Sequence, residues 1–563
     1  MTVPSVIDLR RQLKDELRRD LVGPGSENEI LSDAPTIEYL TGILYPSGTE
    51  LSSQEDEKLE IDGVEDDDEA DDDLIILSQT MNPASLGLSF AVEDDIHQLE
   101  VEVAYGLYTM RGEKRTDGWQ RSQSRKTIPI SLSNSGGRAE LENGGSLEWI
   151  VRTRSGKRSV SIFLVNRNPL PKQDGESSNI DELCLFQPSL EVRGAGAIRP
   201  FVHRVSQGDL PFDADLESYR LLYRDCYEFA IGHGCAVDWN DVQGNRAGIL
   251  RTTTIPAYEL PATIPNSMAG LEMLMLGRAT GPDEVVSLLG PVLAAYEKWI
   301  GERRAEIPSL TSQELRDTAS VHIDLCNQAL ERMRTGLKLL EQDRQVFEAF
   351  RFANRAMLLQ RSHSDWAQRY RRTGKRQTAT PDWVGTWRPF QIAFILLNLP
   401  GIARPESDDR ALVDLLWFPT GGGKTEAYLG LTAFTLALRR LRGKINGMNG
   451  DGGVTVIMRY TLRLLTTQQF QRATALICAC EYLRRQSPQK WGKRPFQIGL
   501  WVGAGATPNN ITDADEVLTK LRNGVDVREG NPVQLPFCPW CGEKLTASNY
   551  HIDRQKDQLV LVC

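Results

Sequence analysis

The feature that most constrains the fold is a glycine-rich turn between an apolar run and a segment with helical spacing. The apolar run covers Leu412–Phe418, the turn covers Pro419–Thr425, and helical spacing follows over Glu426–Arg440. A strand, a loop and a helix in this order are the context that a phosphate-binding loop requires. Glycines let backbone amides point inward around an anion, where a side chain would obstruct them. The segment predicts an α/β fold with a site for a nucleoside triphosphate.

The last residues of this glycine-rich loop have expected roles in binding the triphosphate and its metal ion. Lys424 is expected to neutralise charge on the β- and γ-phosphates, and the Thr425 hydroxyl to ligate Mg²⁺. The helix that follows directs its positive end toward the same anion. We predict catalytic roles for Lys424 and Thr425, within a nucleotide-binding set of Pro419, Thr420, Gly421, Gly422, Gly423, Lys424, Thr425 and Glu426.

A second element, with the sequence WRPFQ, lies upstream at Trp387–Gln391, and Gln391 stands 33 residues before Lys424. It resembles the R-P-x-Q element of superfamily 2 motors, in which the glutamine amide reads adenine. An exposed Arg-Pro turn has the same pattern, but the distance to the loop favours the motor element. We predict that Arg388 and Gln391 bind the nucleotide and that it is ATP. The strict loop pattern has glycine where this chain has Phe418, whereas superfamily 2 motors share only the PTGxGKT core.

Further apolar runs downstream predict more strands of a parallel sheet, at Val454–Met458 and Phe496–Val502. The first run leads into a segment similar to the helicase element P-T-x-x-L-x-x-Q, with Tyr460 in place of its proline. In helicases the hydroxyl and basic groups of this element grip the nucleic-acid backbone. A helix start that exposes an arginine is the alternative. The predicted nucleic-acid contacts are Arg459, Thr461, Arg463, Thr467 and Gln468.

Hydrolysis of ATP needs a carboxylate pair at the end of a buried strand, to hold Mg²⁺ and to orient water. The acidic segment Asp513–Glu516 follows polar residues rather than an apolar run, which favours helix-capping acids. We therefore expect this sequence to be the N-terminal portion of a motor, without the water-activating acid and the second core.

Two of the nine cysteines form a single CxxC motif, at Cys538 and Cys541 in the sequence CPWCG. Such a turn places two thiolates to hold one metal ion, and Cys563 lies 22 positions further on. We predict a structural Zn²⁺ held by Cys538, Cys541 and Cys563, with a fourth ligand beyond the chain. His551 is the in-chain alternative, and a redox-active CxxC is a second alternative.

The acidic net charge of the chain comes from one segment. The whole chain carries −11, residues 55–73 carry −12 from thirteen acids and one lysine, and −11 − (−12) leaves +1 for the rest. Basic grooves are compatible with such a body. We expect residues 51–73 to be a disordered loop, either a solvated linker or an autoinhibitory mimic of DNA. The inhibitory residues would be Glu65, Asp66, Asp67, Asp68, Glu69, Asp71, Asp72 and Asp73.

Targeting signals are missing from the sequence, since no run of about 18 apolar residues and no secretory leader appear. We expect a cytoplasmic protein with no membrane partner.

Period-two alternation from about residue 84 to 205 predicts antiparallel strands, and helical spacing returns afterwards. The predicted organisation is an N-terminal helix and lead-in (1–50), the acidic loop (51–73), a β-rich domain (74–210), a mainly helical connecting domain (211–380), an incomplete first RecA-like ATPase core (381–535) and the first half of a zinc-ribbon insertion (536–563).

The motifs together resemble a known family. PTGGGKTEAYLGL, WRPFQIAFILLNL, AFRFANRAMLLQ and CPWCG are similar to segments of the helicase subunit of the DISARM anti-phage system, over about residues 345–563. The resemblance implies a superfamily 2 motor with two RecA-like cores, which acts on invading DNA (single-stranded or partly so) beside a partner with a DUF1998 domain. A nucleotide-gated DNA-binding scaffold, which recruits a nuclease or methyltransferase without unwinding, is the alternative function.

Overall fold

A computed structural model describes residues 5–47, 82–112, 117–154, 157–169, 180–196, 198–203, 213–260, 264, 266–375, 385–418, 421–445, 447–460, 463–503 and 505–563. The chain divides into two compact units, Met1–Leu260 and Pro261–Cys563. The predicted acidic loop and its eight inhibitory residues lie outside the described residues.

The first unit is built on a large antiparallel sheet, as the period-two alternation predicted. In the strand Gln98–Met110, Leu99, Val101 and Val103 are buried while the residues between them are largely exposed. In this half of the strand one face therefore supplies the core, and the other meets solvent. Within the described residues the sheet contains β1 Ile30–Leu31, β2 Ile43–Leu44, β3 Ser85–Glu93, β4 Gln98–Met110, β5 Trp119–Ser131, β6 Gly136–Glu140, β7 Gly145–Arg154, β8 Lys157–Asn166, β9 Leu185–Gly194, β10 Phe201–Val202, β11 Ala230–His233, β12 Ala236–Gln243 and β13 Arg246–Thr253.

The strand order is β1-β5-β4-β9-β13-β10-β3-β8-β7-β6, with β11 on β3, β12 on β13 and β2 on β9. Strands β11 to β13 fall in the range that the sequence analysis assigned to a helical connecting domain. Leu250 on β13 pairs with Val192 on β9, and this long-range pairing buries both residues completely. No local sequence pattern predicts such a pairing, because the partner strand is remote in sequence.

The described residues of this unit also form the helices α1 Val6–Leu21, α2 Pro35–Glu38, α3 Ile180–Leu183 and α4 Ala214–Leu222. The predicted N-terminal helix is α1, which begins at a capping box between Ser5 and Asp8. The lead-in that follows is fixed to the sheet through Glu29. Its carboxylate accepts hydrogen bonds from the Tyr39 hydroxyl at 2.7 Å, the Gly25 amide at 2.6 Å and the Tyr108 hydroxyl.

The second unit is mainly helical. Its helices are α5 Met273–Arg278, α6 Pro282–Glu306, α7 Gln313–Gln342, α8 Arg344–Thr373, α9 Pro389–Ala403, α10 Lys424–Arg442, α11 Arg463–Gln486, α12 Pro488–Trp491 and α13 Ile511–Arg522. Helix α8 is central, since α5, α7, α10 and α11 all pack against it. Gly336 lets α7 approach α9 closely, because a Cβ there would lie 2.0 Å from the carbonyl oxygen of Leu396. Its described residues also include two antiparallel strand pairs, β14 Lys444–Ile445 with β15 Met448–Asn449 and β16 Tyr550–Asp553 with β17 Gln558–Leu561.

The parallel sheet predicted for this unit is not formed by the described residues. The segments 412–418, 454–458 and 496–502 have no strand hydrogen bonding there, although each runs without helix. In the first segment exposure alternates along the chain: Val413, Leu415 and Trp417 are 97%, 87% and 77% exposed, whereas Phe418 packs on Phe390. A strand needs a neighbour that pairs with its backbone and a layer that covers its outer face, and these apolar runs lack both among the described residues.

Among the described residues, no helix combines the length and the apolar character needed to cross a bilayer.

Candidate functional site

The glycine-rich loop reaches the start of α10 through two residues in left-handed conformations. Gly421 has φ +82° and Gly423 has φ +93°, and a Cβ at Gly423 would lie 2.7 Å from Gln391 Nε2. Only glycine fits the second position without strain. Lys424 is the first residue of α10, so the loop ends at the positive end of a helix with 19 residues. Pro419 and Thr420 lie outside the described residues.

The ammonium group of Lys424 turns back toward the loop. Its Nζ donates a hydrogen bond to the carbonyl oxygen of Phe418, and the side chain is part-buried. Thr425 and Glu426 follow in the first turn of α10, both half-buried. A cation, a hydroxyl and helix amides at one loop suit a triphosphate with Mg²⁺, so these residues fit the predicted group. Their roles in binding and catalysis stay predictions.

Arg388 and Gln391 hold the backbone of this loop. Gln391 is 4% exposed, and its Nε2 donates to the carbonyl oxygen of Gly423 at 2.7 Å. Its Oε1 accepts from the Arg388 amide at 2.8 Å, and the Arg388 guanidinium donates to the carbonyl oxygen of Gly422. Both side chains therefore contact loop backbone directly. The amide of Gln391 has a partner at each end, and its contact with adenine stays a prediction.

Trp387 anchors this upstream element in the helical core. Its Nε1 donates to Asn354 Oδ1 on α8 at 2.7 Å, and both residues are buried. The indole ring lies against Gly430 on α10, where a Cβ would stand 2.6 Å from the ring. One tryptophan thus joins the two helices beside the loop. Trp387 had no predicted role, although a tryptophan next to a polar motif is itself a signal of packing.

Arg332 on α7 fixes the segment that enters the loop. Its guanidinium makes a two-pronged contact with Asp414, at 2.7 and 2.9 Å, and its Nε lies 3.3 Å from Asp409. The hydrogen bonds with Asp414 raise the pKa of Arg332 above its usual range. The three side chains are about four-fifths buried. Sequence reasoning missed this pairing, because no local pattern links residues 82 positions apart.

An ion pair joins helix α11 to the first turn of α10. Arg472 donates to the Glu426 carboxylate, so a residue of the nucleotide-binding set is tied to the next helix. Burial raises the pKa of the nearby Tyr460 phenol. No local pattern singles out Arg472, which is one of four arginines on α11.

The predicted nucleic-acid residues surround the start of α11. Arg459 and Gln468 are exposed, and Arg463 is the first residue of the helix. Thr467 lies in the second turn, and Thr461 lies outside the described residues. Their contacts with nucleic acid stay predictions. The acids Asp513 and Glu516 lie within α13, and the residue that caps this helix is Asn510, whose side chain accepts from the Asp513 amide at 2.8 Å.

Three cysteine thiols meet near residue 540. The sulfur atoms of Cys538, Cys541 and Cys563 all lie within 4.8 Å of one another, and Cys541 and Cys563 are 3.5 Å apart. A tight turn positions the first two, because the Gly542 amide donates to the Cys538 carbonyl oxygen at 2.8 Å. Burial raises the pKa of Cys563 to about 12 and raises that of Cys538 as well. Three convergent sulfurs suit a thiophilic metal ion such as Zn²⁺.

His551 does not belong to this cluster. It is an exposed residue on β16, and the cluster among the described residues comprises three cysteines. A structural zinc ion prefers four ligands, so the thiols supply all but one of them. The in-chain alternative that the sequence analysis offered for the fourth ligand is therefore not supported.

The turn at residues 537–544, which carries Cys538 and Cys541 and which we call the knuckle, packs against α8. The Trp540 ring stacks on His363 with centroids 3.4 Å apart, and His363 Nδ1 donates to the Trp540 carbonyl oxygen at 2.9 Å. Tyr370 donates its hydroxyl to Glu543 at 3.3 Å. Burial lowers the pKa of His363.

The chain is similar to a curated protein of known family. The chain is 32% identical over 594 residues to a DISARM protein DrmA from Bacillus paralicheniformis (strain ATCC 9945a / NCIMB 11709 / CD-2). The match covers 95% of this chain and 50% of the relative, so the chain spans about half the length of that curated protein. No protein-family model matches the chain.

Proposed function

We propose, from the similarity to the DISARM protein DrmA, that the chain is a DrmA-like protein of DISARM defence and carries the ATP-binding part of a superfamily 2 DNA helicase or translocase. The observation that carries the proposal is the loop at the start of α10. Two left-handed glycines, a lysine at the first helical position and a glutamine-anchored backbone together form an anion-binding geometry.

The proposed division of labour at the loop follows from the contacts there. The loop amides and the first turn of α10 receive the phosphate oxygens, and Lys424 leaves the Phe418 carbonyl oxygen to neutralise their charge. Thr425 offers its hydroxyl to Mg²⁺, which supplies charge neutralisation between the phosphates when bound. Glu426 keeps its ion pair with Arg472, so the first turn of α10 stays linked to α11 when nucleotide binds.

We propose that the three extended segments become strands of a RecA-like parallel sheet. Each presents an apolar face to solvent: Trp417 is 77% exposed and Trp501 fully exposed. Burial of side chains this large is a strong driving force for association. The neighbouring strands and the covering layer would come from polypeptide outside the described residues, where the water-activating acid and a second core would also lie.

The rest of the proposal concerns the surroundings of the motor. Arg459, Thr461, Arg463, Thr467 and Gln468 would contact the DNA backbone, and the three thiols would hold a structural zinc ion. The partners would be DNA and a second DISARM protein with a DUF1998 domain, in the cytoplasm.

Nucleotide titration tests the central claim. Lys424→Ala should weaken binding of a fluorescent ATP analogue by about 100-fold, because the loss of a charge-assisted contact costs roughly 3 kcal/mol. Lys444→Ala, which removes an exposed lysine on β14, is the matched control and should bind as the parent chain does. Equal affinities for both variants would refute the proposal.

A second measurement separates a translocase from a nucleotide-gated scaffold. In a protein that contains both this chain and the proposed second core, single-stranded DNA should stimulate ATP turnover. Lys424→Ala in that protein should abolish the stimulation. Binding of ATP without any DNA-stimulated turnover would instead favour the scaffold.

A further inference from the structure

The strongest unassigned surface lies where the thiol knuckle rests on the end of α8. Arg371 of α8 and Lys544 of the knuckle flank this contact, Arg372 and Lys375 follow Arg371 at the end of the helix, and all four side chains are exposed. Phe537 stands among them at 36% exposure, with the Arg371 guanidinium 5.5 Å from the centre of its ring. We call this set the basic ribbon face.

The geometry of this face is set by the contacts beneath it. The Tyr370 hydroxyl donates to Glu543, and a Cβ at Gly542 would lie 2.7 Å from the Ala367 carbonyl oxygen. Phe537 pairs with Lys544 across the knuckle as an isolated β-bridge. These contacts place the Phe537 ring between Arg371 of α8 and Lys544 of the knuckle.

Charge balance on this face favours an anionic ligand. Among the described residues none of the four cations forms an ion pair with an acid, whereas Arg369, one turn away, has Asp365 at 3.8 Å. Cations left without acidic partners retain their full attraction for phosphate.

We propose that the basic ribbon face binds single-stranded nucleic acid, at a site separate from the start of α11. The four cations would contact phosphates, and Phe537 would stack on a base. An exposed aromatic ring among cations is the combination by which proteins hold single strands without reading sequence. The inference rests on the proposed function, since it gives the motor a second contact with its strand.

Fluorescence anisotropy of a labelled oligothymidylate of about 20 nucleotides, added to the 563-residue chain, tests the site. Arg371→Ala with Arg372→Ala should weaken binding about tenfold. The double variant should also reduce the slope of log affinity against log salt by about 1.4, because each phosphate contact contributes about 0.7. Phe537→Leu keeps the apolar volume and should weaken binding at least about fivefold without changing that slope.

The matched control is Arg303→Ala with Arg304→Ala, an equal charge change at the exposed end of α6. The control should bind the oligonucleotide as the parent chain does, and every variant should keep the parent's affinity for nucleotide. Equal weakening in the control and in the ribbon variant would overturn the proposal. So would competition by polyglutamate of similar length as effective as that by oligothymidylate, since an acidic protein would then be the ligand.

Failure of this inference is distinguishable from failure of the proposed function. A parent chain that binds nucleotide through Lys424 but ignores the oligonucleotide would overturn the ribbon site alone. A chain that binds the oligonucleotide through Arg371 and Arg372 while Lys424→Ala leaves nucleotide binding unchanged would overturn the motor instead.

Discussion

Gln391 Nε2 donates a hydrogen bond of 2.7 Å to the carbonyl oxygen of Gly423, which joins the upstream WRPFQ element to the last glycine of the loop. The same side chain accepts from the Arg388 amide at 2.8 Å and is 4% exposed. A buried amide with both ends paired fixes the backbone around it, because loss of either partner leaves an unsatisfied polar group. The conformation of the loop therefore depends on a residue 32 positions away.

Gln391→Ala should lower the free energy of unfolding by about 1–3 kcal/mol, because the Gly423 carbonyl oxygen and the Arg388 amide lose a buried partner. It should also weaken nucleotide binding, and the ratio of the affinities for ATP and GTP distinguishes two causes of that weakening. A role in holding the loop lowers both affinities equally, whereas adenine reading abolishes the preference for ATP. Denaturant unfolding and titration with both nucleotides are the measurements, and Gln313→Ala, at the exposed start of α7, is the control.

Asp414→Asn should destabilise the second unit by about 2 kcal/mol, because Arg332 loses its charged partner while remaining mostly buried. That value is discounted for the one-fifth exposure of both side chains. Asp409→Asn should cost less, since Asp409 makes a single contact at 3.3 Å. Denaturant unfolding of the single and double variants gives the coupling with Arg332→Met. A cost for Asp414→Asn below that for Asp409→Asn would contradict the assignment of the main contact.

His363 should make the stability of the chain depend on pH below about 6.5. Burial lowers its pKa in the folded state, whereas the unfolded chain takes up a proton near the ordinary value of about 6.5. The unfolded state therefore binds more protons as pH falls through this window, so the free energy of unfolding decreases there and levels off below the folded pKa. Above about pH 7 the ring is neutral in both states and contributes no slope.

The measurement is denaturant unfolding from about pH 8 to 5. His363→Phe keeps a ring to stack on Trp540 and should remove that component of the slope, although it also loses the hydrogen bond to the Trp540 carbonyl oxygen. His551→Phe, on exposed β16, should leave the slope as it is. An unchanged slope in His363→Phe would assign the effect to other groups.

Cys541→Ser should abolish metal binding at the knuckle, because it removes one of three convergent sulfurs. The parent chain should carry about one zinc ion, measured by elemental analysis after dialysis, and chelation should lower its melting temperature. Cys226→Ser, which alters an exposed cysteine of the other unit, should retain the metal, and so should His551→Ala. Retention of a full equivalent of zinc by Cys541→Ser would show that the thiols are not its ligands.

Local patterns were enough to locate several elements. The capping residue Ser5 and the stop near Gly23 delimit α1, and the alternation of Leu99, Val101 and Val103 marks a strand with one buried face. The spacing of Cys538 and Cys541 likewise predicted a tight turn, and Cys563 was correctly placed beside it. In each case the information lies in neighbouring residues, because caps, periodicity and tight turns are short-range properties.

Residue identity alone was less informative where the partner is distant. Apolar runs such as Leu412–Phe418 predicted buried parallel strands, yet a run of this kind is buried only when another segment pairs with it and covers it. For β11 to β13 the error was the opposite one. Their residues have a weak strand pattern and were assigned to a helical domain, yet they join the sheet through pairing with β3 and β9. The energy of strand pairing depends on the partner strand, and the local sequence of one strand does not reveal which strand that is.

The sequence by itself determined the glycine-rich loop, the helix that begins at Lys424, the alternating strands of the first unit and the cysteine turn. Only the tertiary structure decided that Gln391 and Arg388 hold the loop backbone, that Asp414 pairs with Arg332, that Glu426 pairs with Arg472, and that the knuckle rests on α8. The physical reason is the range of the interactions. Turn and helix propensities act within a few residues, whereas hydrogen bonds and ion pairs join whatever the packing of helices brings within about 3 Å.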